Sequence, residues 1–291
     1  MDPGAQRSNW RKSRLRKMLR WLTTLRVVRG FARGTGLTPL MRKVYHCWSA
    51  PDGVFRVYVA GVPITLYART GQELLQLEGA LVTEREWSER YALETFLAFL
   101  NPGDVAYDVG ANFGLYSVAL ANKVGDNGLV VAFEPLGHTF ERLQANIRLN
   151  KLANVLCFQK ALGSKTERLE MFVDEERPWC SSLLRRSGIG SERVCEVVEV
   201  TTGDSMRQAH NLPVPRAVKI DVEGYEYAVI QGLKGTLSDP HCEFVECEVH
   251  PQSLPSGTTP AHLINLLRVC GFNRIDIQGR GPEQQVLAYR S

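Results

Sequence analysis

A short stretch between Val105 and Gly114, with the sequence VAYDVGANFG, combines an acidic residue with a glycine-rich turn. The apolar run is typical of a buried strand, and the spacing Asp108-x-Gly110-x-Asn112-x-Gly114 places the turn between that strand and a helix. Glycines at such a junction let the backbone approach a ligand, and the following helix presents free N–H groups. The pattern therefore predicts a binding turn for a small molecule.

Glu134 ends the next predicted strand, in the sequence VVAFEP, 24 residues after Gly110. An acidic side chain at this place can accept both hydroxyls of a ribose. A dinucleotide site would need G-x-G-x-x-G, which the order Gly110-Ala-Asn112-Phe-Gly114 does not provide. Asp108 would also repel a pyrophosphate, whereas it would attract an amino group. Together these residues predict S-adenosylmethionine rather than a nicotinamide cofactor.

A second charged group lies in VKIDVEGYEYAVIQGL, where Lys219, Asp221 and Glu223 close another predicted strand. The next strand, in ECEVHP, places Glu248 and His250 on one face by its two-residue alternation. Charged groups are costly in a core, so their position at strand ends favours catalysis. We expect Asp221 or His250 to accept a proton from a substrate, with Glu223 or Glu248 orienting the base.

The sequence predicts no metal site, because no two of these acidic and histidine residues have a dedicated ligand spacing. A metal-assisted version of the chemistry stays open, in which Asp221, Glu223 and His250 ligate Mg²⁺ and lower the pKa of the acceptor.

Strands and helices alternate through most of the chain, which predicts an α/β fold with a mostly parallel seven-stranded sheet and helices on both faces. Ligands bind such sheets at the carboxyl ends of the strands, near the point where the strand order reverses. The predicted core strands are 104–109, 129–134, 154–161, 216–222, 243–249, 273–278 and 284–290, and the predicted helices are 88–100, 114–123, 137–150, 225–234 and 259–270.

The 291 residues divide by composition and pattern into three predicted parts. Residues 1–43 form a basic, amphipathic or disordered segment with 12 Lys or Arg and one acidic residue, which leaves 23 basic and 30 acidic residues in the rest. Residues 44–100 contain a hairpin and a helix that pack on the core, and residues 101–291 form the cofactor-binding domain. For residues 8–30 the interpretations are an interfacial helix on anionic lipid, an organelle transit peptide, or an extension packed on its own domain.

Seven cysteines without a CxxC pair indicate buried free thiols in a reducing compartment, and therefore a cytoplasmic protein with peripheral membrane contact as an option. Since no apolar run reaches about 18 residues, no membrane span is predicted. Nothing beyond the basic segment favours nucleic acid as a partner, so we expect a small-molecule partner instead.

The chain resembles the FkbM family of S-adenosylmethionine-dependent methyltransferases over residues 54–290. The resemblance is carried by VAYDVGANFGLYSVALA, VVAFEPLGHTFERLQANIRLNKLANV, KALGS, VKIDVEGYEYAVIQGL and ECEVHP. It implies a Rossmann-like class I methyltransferase fold and methylation of oxygen, often a hydroxyl on a sugar or on a sugar-bearing natural product.

The same resemblance implies roles for individual residues. Asp108, Gly110, Asn112 and Gly114 would hold the methionine part of the cofactor, and Glu134 the ribose. Ala161 and Leu162 would border the adenine, while Asp221 and Glu223 would lie beside the transferred methyl group and the acceptor.

The acceptor itself is left open by the sequence. Residues 164–215 include RPWCSSLLRRSG, which is either part of an acceptor pocket or an ordinary surface loop; the residues concerned are Trp179, Ser181, Ser182, Arg185 and Arg186. The competing function is a non-catalytic scaffold of the same fold, anchored through the basic segment.

Overall fold

The computed structural model describes residues 37–82, 89–173, 183 and 194–290. The helices are α1 (Leu37–Ser49), α2 (Gly71–Leu81), α3 (Glu89–Phe99), α4 (Leu115–Val124), α5 (Gly137–Leu149), α6 (Gly203–Ala209), α7 (Glu226–Gly232), α8 (Lys234–Ser238) and α9 (Pro260–Val269). The strands are β1 (Val54–Val59), β2 (Val62–Tyr67), β3 (Val105–Val109), β4 (Leu129–Phe133), β5 (Val155–Phe158), β6 (Ala161–Leu162), β7 (Glu167–Val173), β8 (Val194–Thr201), β9 (Ala217–Ile220), β10 (Phe244–Val249), β11 (Arg274–Arg280) and β12 (Glu283–Tyr289).

The chain forms two compact units, of which the first comprises Met1–Arg56 and Leu66–Thr83. Its described part contains α1 and α2, neither of which the sequence pattern predicted, and α1 crosses residue 43. The two helices approach closely, since a Cβ on Gly71 would lie 2.2 Å from the carbonyl oxygen of Arg42. The Tyr45 hydroxyl donates a 2.6 Å hydrogen bond to Glu78, which fixes their relative position.

The second unit comprises Val57–Thr65 and Glu84–Ser291 and contains the tip of the predicted β1–β2 hairpin. Asn122 in α4 and Asn150 after α5 donate hydrogen bonds of 2.9 and 2.6 Å to the carbonyl oxygens of Pro63 and Thr65. The second strand of the hairpin is therefore attached to two helices of the main domain.

The main sheet has seven strands in the order β11-β12-β10-β9-β3-β4-β5. Strand β12 is antiparallel to both of its neighbours, and the other four pairings, from β10 to β5, are parallel. Chain order reverses between β3 and β9, because the chain moves outward to β5 and then returns to the centre. This arrangement confirms the predicted Rossmann-like class I methyltransferase fold.

The two faces of the sheet bury different side chains, as the two-residue alternation of strands requires. On one face Val109 and Ile220 join the core cluster that includes residues of α7 and α9. On the other face Ala132 packs with Leu143 and Ile147 of α5. Helices consequently cover both faces, which leaves the strand ends as the place for a ligand.

The predicted strand 154–161 is two strands in two different sheets. Phe158 pairs with Phe133, the last residue of β4, so the chain has no neighbour in the main sheet beyond that point. It continues as β6, which joins β7 and β8 in a separate three-stranded sheet. The predicted helix 225–234 is likewise two helices, α7 and α8, and α6 was not predicted.

Five cysteines are free thiols, namely Cys47, Cys157, Cys242, Cys247 and Cys270, but their burial is only partly as predicted. Cys242, Cys247 and Cys270 are buried, whereas Cys157 is half-buried and Cys47 is exposed. Across the described ranges, no helix combines the length and the apolar character needed to cross a bilayer. The predicted amphipathic helix in residues 8–30 lies outside these ranges.

Candidate functional site

A cleft opens at the carboxyl ends of β3, β4 and β9, beside the reversal of strand order. Its volume is about 640 Å³, including the open mouth. The lining residues are Val109, Gly110, Asn112, Phe133, Glu134, Pro135, Leu136, Thr139, Lys160, Ala161, Leu162, Met171, Leu183, Asp221, Val222, Glu223 and Tyr225.

The glycine turn after β3 forms one wall of this cleft through Gly110 and Asn112. Gly110 has a φ of +81°, and a Cβ on it would lie 1.9 Å from the carbonyl oxygen of Asp221. The backbone that follows β9 thus excludes a side chain at this position, and the contact of Gly110 with a cofactor stays a prediction. Asn112 also has a positive φ, and its side chain accepts a hydrogen bond from the N–H of Phe113.

Gly114 and Asp108 do not line the cleft. A Cβ on Gly114 would meet Leu143 at 2.6 Å, so this glycine serves the packing of α4 on α5. Asp108 is fully buried, and Ser117 in α4 donates a 2.6 Å hydrogen bond to its Oδ2. Burial raises the pKa of Asp108, with Lys219 and Ser117 acting in the opposite direction. Both residues therefore lie behind the turn in this structure, and their contact with a cofactor stays a prediction.

Glu134 links the turn to the end of β4, as the sequence predicted. Its two carboxylate oxygens accept hydrogen bonds from the N–H groups of Asn112 at 2.9 Å and Leu136 at 3.0 Å. Burial raises the pKa of Glu134 to about 7, although these two hydrogen bonds lower it. The carboxylate lines the cleft with fixed orientation, ready to accept further donors.

The opposite wall is apolar and comes from the small three-stranded sheet. Ala161 and Leu162, which form β6, are buried beside the cleft together with Met171 of β7. Leu136 packs in the same cluster. This wall can hold a flat aromatic group, as the resemblance implied for Ala161 and Leu162.

Asp221 and Glu223 enter the cleft from the turn that follows β9. The Oδ2 of Asp221 lies 3.2 Å from the Nζ of the buried Lys219. Glu223 has a φ of +57°, a conformation that is unusual outside glycine, asparagine and aspartate and that clusters at functional sites. The predicted catalytic pair is thus placed in the cleft by a short, strained turn.

His250 lies directly behind Glu223 at the end of β10 and is 6% exposed. Its Nε2 is 3.4 Å from Glu223, and its Nδ1 is 2.8 Å from Glu226. Burial alone lowers the pKa of His250, but Glu226, Asp221 and Glu223 raise it to about 10. The neighbouring carboxylates therefore favour the protonated ring, and the role of His250 as the base stays a prediction.

Glu248 does not line the cleft. It is half-buried on β10 and faces His250, with Glu283 on the other side, and the three can bring one polar atom each within 4.8 Å of the others. The predicted proximity of Glu248 and His250 is present, but His250 is oriented by Glu226. The sequence analysis missed Glu226, for which the signal was an acidic residue in the first turn of the helix after Gly224.

A buried row of charged side chains supports the cleft from beneath. Strand register places Asp108 beside Lys219, and Lys219 beside Glu246. Helix α4 covers the row, since Tyr116 donates a 2.9 Å hydrogen bond to Glu246 and its ring lies 4.5 Å from the Lys219 ammonium. Lys219 is therefore a buried structural cation rather than a strand-end charge in the cleft.

The hypothesis of an acceptor pocket in RPWCSSLLRRSG falls on residues outside the described ranges, apart from Leu183. Leu183 lines the cleft. Three polar lining residues were not predicted from the sequence, namely Thr139, Lys160 and Tyr225. Their sequence signal was weak, because each stands alone in a loop or at the start of a helix.

Comparison with known proteins shows the same family that the motifs indicated. A family model described as the methyltransferase FkbM domain matches residues 108–274. Hexuronic acid methyltransferase AglP of Haloferax volcanii is 27% identical over 183 residues, which cover 62% of this chain and 67% of that protein. Methyltransferase 1 of Beauveria bassiana is 24% identical over 155 residues, which cover 48% of this chain and 60% of that protein.

Among solved structures, the chain is similar to methyltransferase FkbM from Methylobacillus flagellatus KT, with a TM-score of 0.46 and 14% identity. That similarity covers 75% of this chain and 60% of the Methylobacillus protein. The chain therefore spans less than two thirds of the length of the Methylobacillus protein and of the Beauveria relative. The family model spans more than half of the 291 residues and includes both Glu134 and Asp221. The chain therefore belongs to the FkbM family of methyltransferases.

Proposed function

We propose that the chain transfers a methyl group from S-adenosylmethionine to a hydroxyl oxygen of a sugar or of a glycosylated small molecule. The observation that carries the proposal is the cleft itself. One wall presents Glu134 on its fixed turn, and the turn after β9 presents Asp221 and Glu223 to the same space. A cofactor subsite and a pair of acids beside it are the parts that methyl transfer to oxygen needs.

The residues present fit the proposed cofactor. Glu134 has two oriented oxygens for the ribose hydroxyls, and Ala161 and Leu162 offer an apolar wall for the adenine. Gly110 and Asn112 leave the methionine end near Asp221. When bound, S-adenosylmethionine supplies a methyl group on a sulfonium, which leaves as a neutral thioether.

The acceptor chemistry falls to Asp221. The hydroxyl must lose its proton as its oxygen bonds to the methyl carbon, and a positioned base contributes about 10² to 10⁴ in rate. Asp221 lines the cleft, whereas His250 is cationic and set behind Glu223. We therefore assign Asp221 as the base that accepts the proton. Lys219 and Glu223 are then the residues that position Asp221.

The sugar class is supported by relatives rather than by side-chain geometry. AglP, to which this chain is similar over 183 residues, is named for a hexuronic acid. Hexuronic acids carry several ring hydroxyls and a carboxylate.

The first test is calorimetric titration of the full chain with S-adenosylmethionine, S-adenosylhomocysteine and NAD⁺. We expect micromolar binding of the two sulfur nucleosides and none of NAD⁺. Glu134→Ala should weaken the binding by at least about tenfold, since it removes the acceptor for two hydroxyls. Glu170→Ala, at an exposed position on β7, is the matched control and should bind as the parent does.

The second test is turnover with hexuronosides and neutral glycosides as acceptors. Asp221→Asn should lower kcat by about 10² to 10⁴ while the cofactor Kd changes by less than about threefold. Full activity of this variant at saturating acceptor would remove Asp221 as the base. Cofactor binding without turnover on any hydroxyl acceptor would favour the scaffold function, anchored through basic residues 8–30.

A further inference from the structure

Three side chains from the ends of two adjacent strands converge beside the cleft. Asp221 and Glu223 belong to the turn after β9, and His250 directly follows β10. Each can offer one ligand atom, and these atoms all lie within 4.8 Å of one another. A single cation placed among them would reach two carboxylates and an imidazole at once.

The imidazole of His250 is oriented as in many metal sites. Its Nδ1 lies 2.8 Å from Oε1 of Glu226, which leaves Nε2 directed at Glu223. Histidine ligands typically bond a carboxylate through the nitrogen that does not bind the metal, and this fixes the ring and its tautomer. Glu226 is fully buried and also accepts the Gly224 N–H, so it is itself held in place.

Three carboxylates, those of Asp221, Glu223 and Glu226, concentrate negative charge around His250. The second oxygen of Glu226, Oε2, is buried without a hydrogen bond from the described residues. Such an atom is costly in a protein interior unless a charge or a donor lies nearby. An additional cation next to His250 would add positive charge beside these carboxylates.

We propose that Asp221, Glu223 and His250 bind one divalent cation, and that Glu226 positions His250 for it. The ligand set of two carboxylates and one imidazole suits a cation that accepts both oxygen and nitrogen, such as Mn²⁺ or Mg²⁺. With the cation bound, Nε2 of His250 is the ligand atom and Nδ1 donates its hydrogen to Oε1 of Glu226.

The role of the cation rests on the proposed function. Two of its ligands line the cleft, so a hydroxyl in the acceptor position can approach it. A divalent cation lowers the pKa of a hydroxyl that it contacts, and the proton then leaves more readily to a base or to solvent. Ionisation of a sugar hydroxyl then no longer depends on the weak basicity of a carboxylate alone.

The test uses EDTA-treated full-length protein titrated with Mn²⁺ and followed by electron paramagnetic resonance. We expect one saturable Mn²⁺ per chain, with electron spin echo modulation from a coordinated imidazole nitrogen. Glu223→Gln and His250→Gln should each weaken binding by at least about tenfold, and Glu226→Gln by about 10- to 100-fold. His241→Gln is the matched control, because His241 is exposed and pairs with Asp239 away from the cleft.

Equal Mn²⁺ affinity in the parent and in Glu223→Gln would overturn the proposal, as would a bound Mn²⁺ without the nitrogen signal. Glu223 has a partly exposed side chain, so this variant should keep its fold, which circular dichroism will check. The titration with S-adenosylmethionine is repeated in EDTA. Mn²⁺ binding without cofactor binding would refute the proposed function and support the cation site. Cofactor binding without Mn²⁺ binding would refute the cation site and leave the proposed function standing.

Discussion

At the scale of single residues, the position of Glu134 illustrates how one carboxylate serves both fold and site. Its two hydrogen bonds to backbone N–H groups hold the glycine turn against the end of β4. Its burial disfavours the charged form, which raises its pKa to about 7. Glu134, which the sequence spacing assigned to a ribose, therefore lowers the stability of the folded state when it ionises.

We expect the stability of the parent to depend on pH through Glu134. A carboxyl group whose folded-state pKa is above its unfolded value of 4.5 binds protons more tightly when folded, so its contribution is present below pH 4.5 and is lost as pH rises through about 7. Between pH 5 and 8 the free energy of unfolding of the parent should fall by about 2–3 kcal/mol relative to Glu134→Gln. Urea unfolding at both pH values measures the difference, and parallel pH profiles would contradict the prediction.

At the scale of elements, the turn between β3 and α4 is fixed by its neighbours. Gly110→Ala should destabilise the protein by at least about 2 kcal/mol, because its Cβ would overlap the carbonyl oxygen of Asp221 at a φ of +81°. Gly79→Ala in α2 is the matched control. A Cβ there meets nothing within 4 Å, so this change should raise stability by about 0.5–1 kcal/mol. Chemical denaturation of both variants provides the comparison.

The polar row under α4 couples three strands through Lys219. Burial alone lowers the pKa of Lys219, but Asp221 and Asp108 hold it above its usual value. Lys219→Met should therefore lower the free energy of unfolding by about 3–5 kcal/mol, because it leaves the fully buried Asp108 without its cation.

The double variant Lys219→Met with Asp108→Asn tests that explanation. Removing both charges should recover at least about 1 kcal/mol relative to the single Lys219→Met change. Strictly additive losses in a double-mutant cycle would show that the cost of the methionine comes from packing instead of charge.

At the scale of the whole molecule, the cleft lies where strand order reverses, so a ligand there contacts strands on both sides of the reversal. Binding to the folded state alone stabilises it by mass action. At a free concentration 100 times its Kd, S-adenosylhomocysteine should raise the free energy of unfolding by about 2.7 kcal/mol. Thermal or urea unfolding with and without the ligand measures this shift, and NAD⁺ at the same concentration should produce none.

The sequence by itself determined the family, the mostly parallel sheet and the strand ends at which the cleft lies. Glycine spacing, strand periodicity and ordered motifs are local features, so Gly110, Glu134 and Asp221 could be placed at strand ends without a structure. The boundaries of most core elements follow from the same periodicity. The helices α1 and α2 were missed, although the predicted hairpin lies between them and Thr70 caps the start of α2.

Only the tertiary structure decided which of the predicted residues reach the cleft. Strand register buried Asp108 beside Lys219, and helix packing accounted for Gly114, although both belong to the binding motif. The charge state of His250 likewise depends on Glu226, which is 24 residues away along the chain. Burial and electrostatic partners are set by contacts between distant segments, and a one-dimensional pattern does not contain them.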